Sequence, residues 1–209
     1  MSKASLYPPS VVKLIDEFAK LPGIGKRSAE RMAFHILSTP RDEAMALALS
    51  IRDARKNLRA CRRCFHIAEG ELCAVCSDSS RDPRQICVVE LPRDAIALEK
   101  ADVYRGVYHV LQGRLSPAEG VGPDNIRVKE LWQRVREARD AGQPVTEIIL
   151  ATRPSAEGDA TAEYLSGLLR ENAPELKTTR LARGLASGAD LENAAPSSII
   201  FAFQGRRQD

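Results

Sequence analysis

The chain has 209 residues, 44% of them hydrophobic and 5% aromatic, and 31 Lys and Arg against 28 Asp and Glu give it a formal net charge of +3. That length holds one domain or two small ones, and the apolar share excludes a compositionally disordered chain. No apolar run approaches the ~20 residues of a membrane span, and the start MSKASLYPPSVVKLIDEF lacks the basic-then-apolar build of a signal peptide, so the expected place is the cytoplasm.

Up to Arg84 there are 15 Lys and Arg against 10 Asp and Glu, and from Gln85 onward 16 against 18. The attraction for phosphates therefore sits in the first part of the chain. From Pro9 to Leu58 apolar residues recur at helical spacing: Val12, Ile15, Phe18 and Ala19, then Ala29, Met32, Ala33, Ile36 and Leu37, then Leu47, Ile51 and Ala54. Pro22-Gly23 and Pro40 punctuate them, which predicts three helices. Between the first two lies Leu21-Pro22-Gly23-Ile24-Gly25-Lys26-Arg27-Ser28-Ala29. Gly23 and Gly25 permit a tight turn and a close backbone approach. The helix beginning near Lys26 then offers free N–H groups and the positive end of its dipole to an anion. Lys26, Arg27 and Arg31 add charge beside it, an arrangement that holds DNA phosphates without reading bases. The segment resembles a helix-hairpin-helix motif. His35 reads as a packing or surface residue.

Next comes Cys61-x2-Cys64-x8-Cys73-x2-Cys76. Two paired knuckles suit one tetrahedral ion held by four thiolates, with backbone N–H groups bonding the sulfurs. In a cytosolic chain that spacing favours a metal over disulfides. Zinc is the default reading, with an iron–sulfur cluster or a redox pair as alternatives. A closed four-thiolate site is structural, so the segment depends on the metal to fold. His66 reads as a bystander, and Cys87, inside an apolar strand, as a core thiol.

From Ile86 strands and helices alternate: a strand at 86–90, a helix at 94–100, a β-rich run at 103–111, a Gly/Pro-rich loop at 113–123, a helix at 124–141, a strand at 145–150, a helix at 160–171 and a strand at 177–181. The alternation predicts a mainly parallel sheet flanked by helices, with functional loops at the carboxyl ends of strands, near Glu90 and Arg153. Glu90, together with Arg153-Pro154-Ser155-Ala156-Glu157-Gly158-Asp159, resembles a Toprim domain, the module of topoisomerases and primases. Active members carry Asp-Pro-Asp where this chain has Arg153 and Ser155, and those aspartates help bind Mg²⁺. An arginine repels that ion. Glu157 and Asp159 also suit the amino end of the helix expected near Ala160.

A helix-hairpin-helix, four cysteines and a degenerate Toprim follow one another as in the RecR family of recombination proteins. Further similar stretches are Ser80-Arg81-Asp82, Tyr104 to Leu111, Leu115-Ser116-Pro117 with Gly120 to Pro123, Arg180 to Leu185, and Gly188 to Glu192. The resemblance implies an α+β chain in four segments: a helical helix-hairpin-helix domain at 1–58, a zinc finger at 59–84, a Rossmann-like Toprim domain at 85–175, and a segment at 176–209 that completes the sheet and makes oligomer contacts. It implies a non-enzymatic scaffold of recombinational repair, a homodimer or ring-like homotetramer, nucleoid-associated when active. Its partners would be DNA, RecO and, where present, RecF, helping to load RecA onto strands coated by SSB. Carried over by position, Gly23, Gly25, Lys26, Arg27 and Arg31 contact DNA, and Glu90, Glu157 and Asp159 form the surface that engages RecO. The other reading is a Mg²⁺-dependent Toprim nuclease or topoisomerase-like enzyme. The family has Asn-Pro-Thr in place of Arg153-Pro154-Ser155, and 199–203 is more apolar here than in the family's polar C-terminal helix. Propensity makes that stretch a strand, whereas Pro196 favours a helix start.

Overall fold

A computed structural model describes residues 6–188 and 190–206. Residues 1–5 of the stretch read above for a signal peptide, Ala189 of the Gly188 to Glu192 stretch, and the last three residues of the C-terminal segment lie outside them. The chain divides into two compact units, residues up to Asn57 and residues from Leu58.

The first unit is helical: α1 (Pro9–Ala19), α2 (Lys26–Ser38) and α3 (Arg41–Asn57). Proline opens α1, where its missing N–H costs nothing, and Asp42 and Glu43 occupy the first turn of α3. The helices α1 and α2 pack on each other. Ala29 and Ala33, one turn apart on α2, are its buried residues, and their short side chains let another helix come close. The helix α3 buries none of its side chains, and Met45, Leu47, Leu49 and Ile51 stay exposed.

The second unit begins with a small antiparallel pair, β1 (Arg59–Ala60) with β2 (Ile67–Ala68), and the one-turn α4 (Ala74–Ser77). The α/β part follows as β3 (Asp82–Val89), α5 (Pro92–Ala101), β4 (Gly106–Val110), α6 (Val128–Asp140), β5 (Glu147–Leu150), α7 (Ala156–Asn172), β6 (Lys177–Arg180) and α8 (Pro196–Gln204), with short 3-10 turns at Pro117–Glu119, Pro123–Asn125 and Leu191–Asn193. The sheet runs β4-β3-β5-β6, all parallel.

The strand β3 is buried on both faces, as a central parallel strand should be. Ile86 and Val88 join Leu131, Val135, Ala162, Leu165 and Leu169 from α6 and α7, while Cys87 and Val89 join Ala95 of α5 together with Tyr108 and Val110. Burial pushes the Cys87 thiol up to about 12, which suits an inert core residue.

Several boundaries differ from the sequence expectation. The strand β3 starts at Asp82, because Asp82 already pairs with Gly106 across an irregular stretch, and it ends before Glu90. The helix α6 starts at Val128 rather than 124, after the 3-10 turn at Pro123–Asn125. The helix α7 starts at Ala156 rather than near Ala160, because the Ser155 hydroxyl accepts the Gly158 N–H at 3.2 Å and caps it. Residues 199–203 are helical: Pro196 opens α8, and Phe201 lies under the Arg183 guanidinium, 4.9 Å from the ring centre.

Candidate metal centre and nucleic-acid interface

The knuckle is built by local backbone bonds. Cys61 N–H donates to His66 C=O at 2.7 Å and Phe65 N–H to Cys61 C=O at 2.9 Å, closing the first Cys-x-x-Cys turn, with Phe65 left-handed at φ 63°. That backbone costs about 1–3 kcal/mol for a non-glycine residue. Contacts of Phe65 offset it: the His109 ring, edge-to-face with centroids 5.5 Å apart, the Arg127 guanidinium 5.1 Å from the ring centre, and Gln112 Nε2, which donates to Phe65 C=O at 2.5 Å. In the second turn Ser77 N–H donates to Cys73 C=O at 3.0 Å.

These turns bring Cys61, Cys64, Cys73 and Cys76 together, all buried, with their sulfurs within 4.8 Å of one another. The Cys64 and Cys73 sulfurs are 3.5 Å apart. That contact lets the Cys64 and Cys73 thiols share a proton. Hydrogen bonding to Cys73 pushes the Cys64 thiol up, and the same contact pulls Cys73 down. Four converging thiols fit a tetrahedral divalent ion that displaces those protons. His66 is buried beside them but belongs to no metal-ligating group among the described residues.

The carboxyl end of the sheet gathers the acidic residues and separates them. Glu90 is only 1% exposed. Its Oε1 accepts the Arg153 N–H at 2.8 Å, while Oε2 has no hydrogen-bond partner among the described residues. It therefore lies beneath the acidic surface expected of it, because its side chain runs under the 153–158 loop. Asp159 is partly exposed but held by two arginines, Arg180 at 2.7 Å and Arg183, whose Nη1 lies 3.0 Å away. Chiefly through Arg183, its carboxyl is drawn down to about 2. Glu157, in the first turn of α7, is lowered by its own backbone N–H and the Ser155 hydroxyl. The Arg153 side chain is exposed. The sequence had no local signal for Arg180 and Arg183 as partners of Asp159, since they lie 21 and 24 residues further on.

In the first unit, Gly23 has φ +79°, which favours glycine. Gly25 is the N-cap of α2 and supplies no side-chain cap. The Ala29 N–H makes the first helical bond, to Gly25 C=O at 2.9 Å, so the preceding N–H groups are left for a ligand. No acid lies in the first turn of α2. Lys26, Arg27 and Arg31 are exposed.

Three family descriptions match the chain in order: the RecR helix-hairpin-helix at residues 11–55, the RecR four-cysteine zinc finger domain at 58–78, and the Toprim domain at 84–182. Hairpin, zinc knuckle and Toprim sheet together define a three-module recombination protein. Over 204 residues the chain is 49% identical to Recombination protein RecR of Chloroflexus aurantiacus, covering 97% of this chain and 96% of that one. The protein of the same name from Rhodopirellula baltica is 47% identical over 199 residues, covering 95% and 96%. That from Frankia casuarinae is 47% identical over 203 residues, covering 97% and 98%. The chain belongs to the RecR family, with a role in recombination and repair. Its four cysteines are those of the family's zinc finger and are positioned to hold one structural zinc ion. No helix among the described residues is long and apolar enough to cross a membrane.

Proposed function

We propose that the chain is a non-catalytic, sequence-nonspecific DNA-binding clamp of recombinational repair. It acts with RecO, and with RecF where present, to promote RecA loading onto SSB-coated single strands, in the cytoplasm and on the nucleoid. The uncapped amino end of α2 carries the reading. Its free N–H groups are reached past Gly23 and Gly25, which have open space where a side chain would begin, and they meet a phosphate. Lys26, Arg27 and Arg31 surround it with charge. The exposed apolar residues of α3, with Ile200 and Phe203 of α8, are the contacts of a homodimer or ring-like tetramer. On the Toprim module, Glu157 and Asp159 face RecO, and Glu90 beneath them fixes the backbone at Arg153.

The same loop supports a non-catalytic role over Mg²⁺-dependent cleavage. Arg153 places a positive charge where active Toprim domains have an acid, and Asp159 is already paired with two cations. The test is a pair of charge reversals, Lys26→Glu and Arg27→Glu. Each lost duplex phosphate contact should lower the salt-dependence slope of DNA affinity by about 0.9, with zinc content unchanged. Affinity equal to wild type would overturn the assignment of that face. Mg²⁺-dependent DNA cleavage that disappears in Glu90→Ala would overturn the non-catalytic reading. Light scattering with and without DNA and RecO tests the ring.

A further inference from the structure

Arg134 of α6 is partly buried, and its Nη1 donates to Tyr108 C=O at 2.7 Å. Among the described residues no carboxylate forms an ion pair with it, whereas other arginines of this unit, Arg81, Arg84, Arg105, Arg127, Arg180 and Arg183, each have one. A guanidinium drawn out of water without an anion is costly.

What lies beside it is the metal knuckle. Leu111 N–H donates to Val89 C=O on the inner side of β4, so Tyr108 and Val110 turn their backbone groups to the outer edge, since alternate residues share an edge. On that edge Cys64 C=O accepts the Val110 N–H at 2.8 Å, two residues from the carbonyl that Arg134 holds. The guanidinium and the Cys64 turn thus dock side by side on one strand edge. Burial pulls the Arg134 pKa down, and the charges that oppose this are the sulfurs of Cys76, Cys64 and Cys61. Four thiolates around Zn²⁺ carry a net charge of about −2. A second arginine, Arg63, reaches the same cluster from solvent, its Nη1 donating to Cys76 C=O at 3.4 Å.

We infer that Arg134 is the counter-ion of the zinc tetrathiolate, so that a residue of the Toprim module sets the zinc affinity of the neighbouring finger. Zinc gathers the four thiolates into the negative cluster that the guanidinium lacks, and the guanidinium in turn offsets that cluster's net charge. Metal occupancy and the seating of Arg134 on the edge of β4 are thereby coupled.

Two variants of the full chain separate charge from hydrogen bonding: Arg134→Lys keeps the charge, and Arg134→Gln keeps a donor for Tyr108 without it. Zinc affinity is read by competition with a chromophoric chelator. Loss of a group that tunes a metal from outside its ligands costs 10–100-fold in affinity as a rough rule, and Arg134→Gln should fall in that range while Arg134→Lys stays near wild type. Wild-type affinity in Arg134→Gln, or an equal fall in both variants, overturns the inference. Urea unfolding with and without zinc guards against a folding defect. Arg134→Gln should lower the midpoint of the zinc-loaded protein and leave that of the metal-stripped protein unchanged or higher, because the stripped form has lost the anion. Equal destabilisation of both forms would mean that only the Tyr108 bond matters, and would refute the counter-ion role.

Discussion

Replacing Gly158 by alanine tests the packing under the acidic loop. Gly158 lies in the first turn of α7 outside the left-handed region, so backbone freedom is not what it supplies. A Cβ there would lie 2.0 Å from the Arg153 carbonyl oxygen and 2.9 Å from Glu90 Oε1. The Arg153 backbone has little room to yield, because its N–H bonds Glu90 and its C=O accepts the Ser155 N–H at 2.8 Å. Making room leaves the buried Glu90 carboxyl without its backbone donor, about 1–3 kcal/mol, and loses the Ser155 bond, about 1 kcal/mol. Alanine returns about 1 kcal/mol in helix propensity. The net loss is about 1–3 kcal/mol, which for a unit of this size lowers Tm by roughly 2–12 °C. Gly167, two turns further along the same helix, has no atom within 4 Å of its would-be Cβ. Gly167→Ala should therefore stabilise by about 0.4–1 kcal/mol. Thermal and urea unfolding of both variants give the two signs. A Gly158→Ala protein as stable as Gly167→Ala would refute the close approach of Glu90, Arg153 and α7.

Chelation should release the edge of β4 along with the knuckle: amide exchange at Val110 and across 59–68 should accelerate, while Ile86 to Val89, inside the sheet, stay protected. His109 is fully buried, its pKa pulled down to about 4 by desolvation. Because the folded value is depressed, stability is full above the unfolded pKa of about 6.5 and falls as pH drops toward 4; urea midpoints across that window should show a slope that His109→Gln removes, and an unchanged slope would count against it. Glu99 accepts two bonds from Arg81, at 2.6 and 2.8 Å, and one from the Tyr108 hydroxyl at 2.7 Å. Tyr108→Phe should cost about 1 kcal/mol and Glu99→Gln about 1.5–3 kcal/mol, and equal losses in urea unfolding would show that the Arg81 pair contributes nothing.

The parts of the fold written in local pattern were legible in the sequence. The hairpin needs its glycines and cations close together, the knuckle needs its cysteines three apart, and the buried parallel strands need apolar runs. Illegible parts depended on partners far along the chain. Asp82-Pro83-Arg84 falls by sequence in the zinc-finger segment, ahead of the strand expected at 86–90, and is strand because Gly106 pairs with Asp82. Glu157-Gly158-Asp159 reads as the approach to a helix and is its first turn, since Ser155 caps it and Gly158 fits against Arg153. At 199–203 propensity and Pro196 disagreed, and the contact of Phe201 with Arg183 accompanies the helix. The three acids look alike in sequence. Burial sets Glu90 apart, and two distant arginines set Asp159 apart, which leaves Glu157 as the partly exposed acid with no ion-pair partner among the described residues.

The two edges of the sheet explain why a finger belongs beside a Toprim domain. An open edge strand presents unpaired N–H and C=O groups that invite another chain to pair. The edge strand β6 is Lys177-Thr178-Thr179-Arg180, with both charged ends exposed, and such an edge is guarded by its own solvation and charge. The other edge strand, β4, is Gly106-Val107-Tyr108-His109-Val110, buried at every position, and has no charge with which to discourage pairing. Its outer edge is instead occupied: Val110 N–H by the carbonyl of a zinc ligand, and Tyr108 C=O by Arg134. A two-strand, one-turn segment cannot hold that position by its own core, which consists of the four cysteines, Ala68, Leu72 and Val75. The metal makes it rigid enough to serve as a cap. Chelation should therefore uncover an apolar strand edge and raise concentration-dependent association in light scattering, and an unchanged mass would count against this role for the finger.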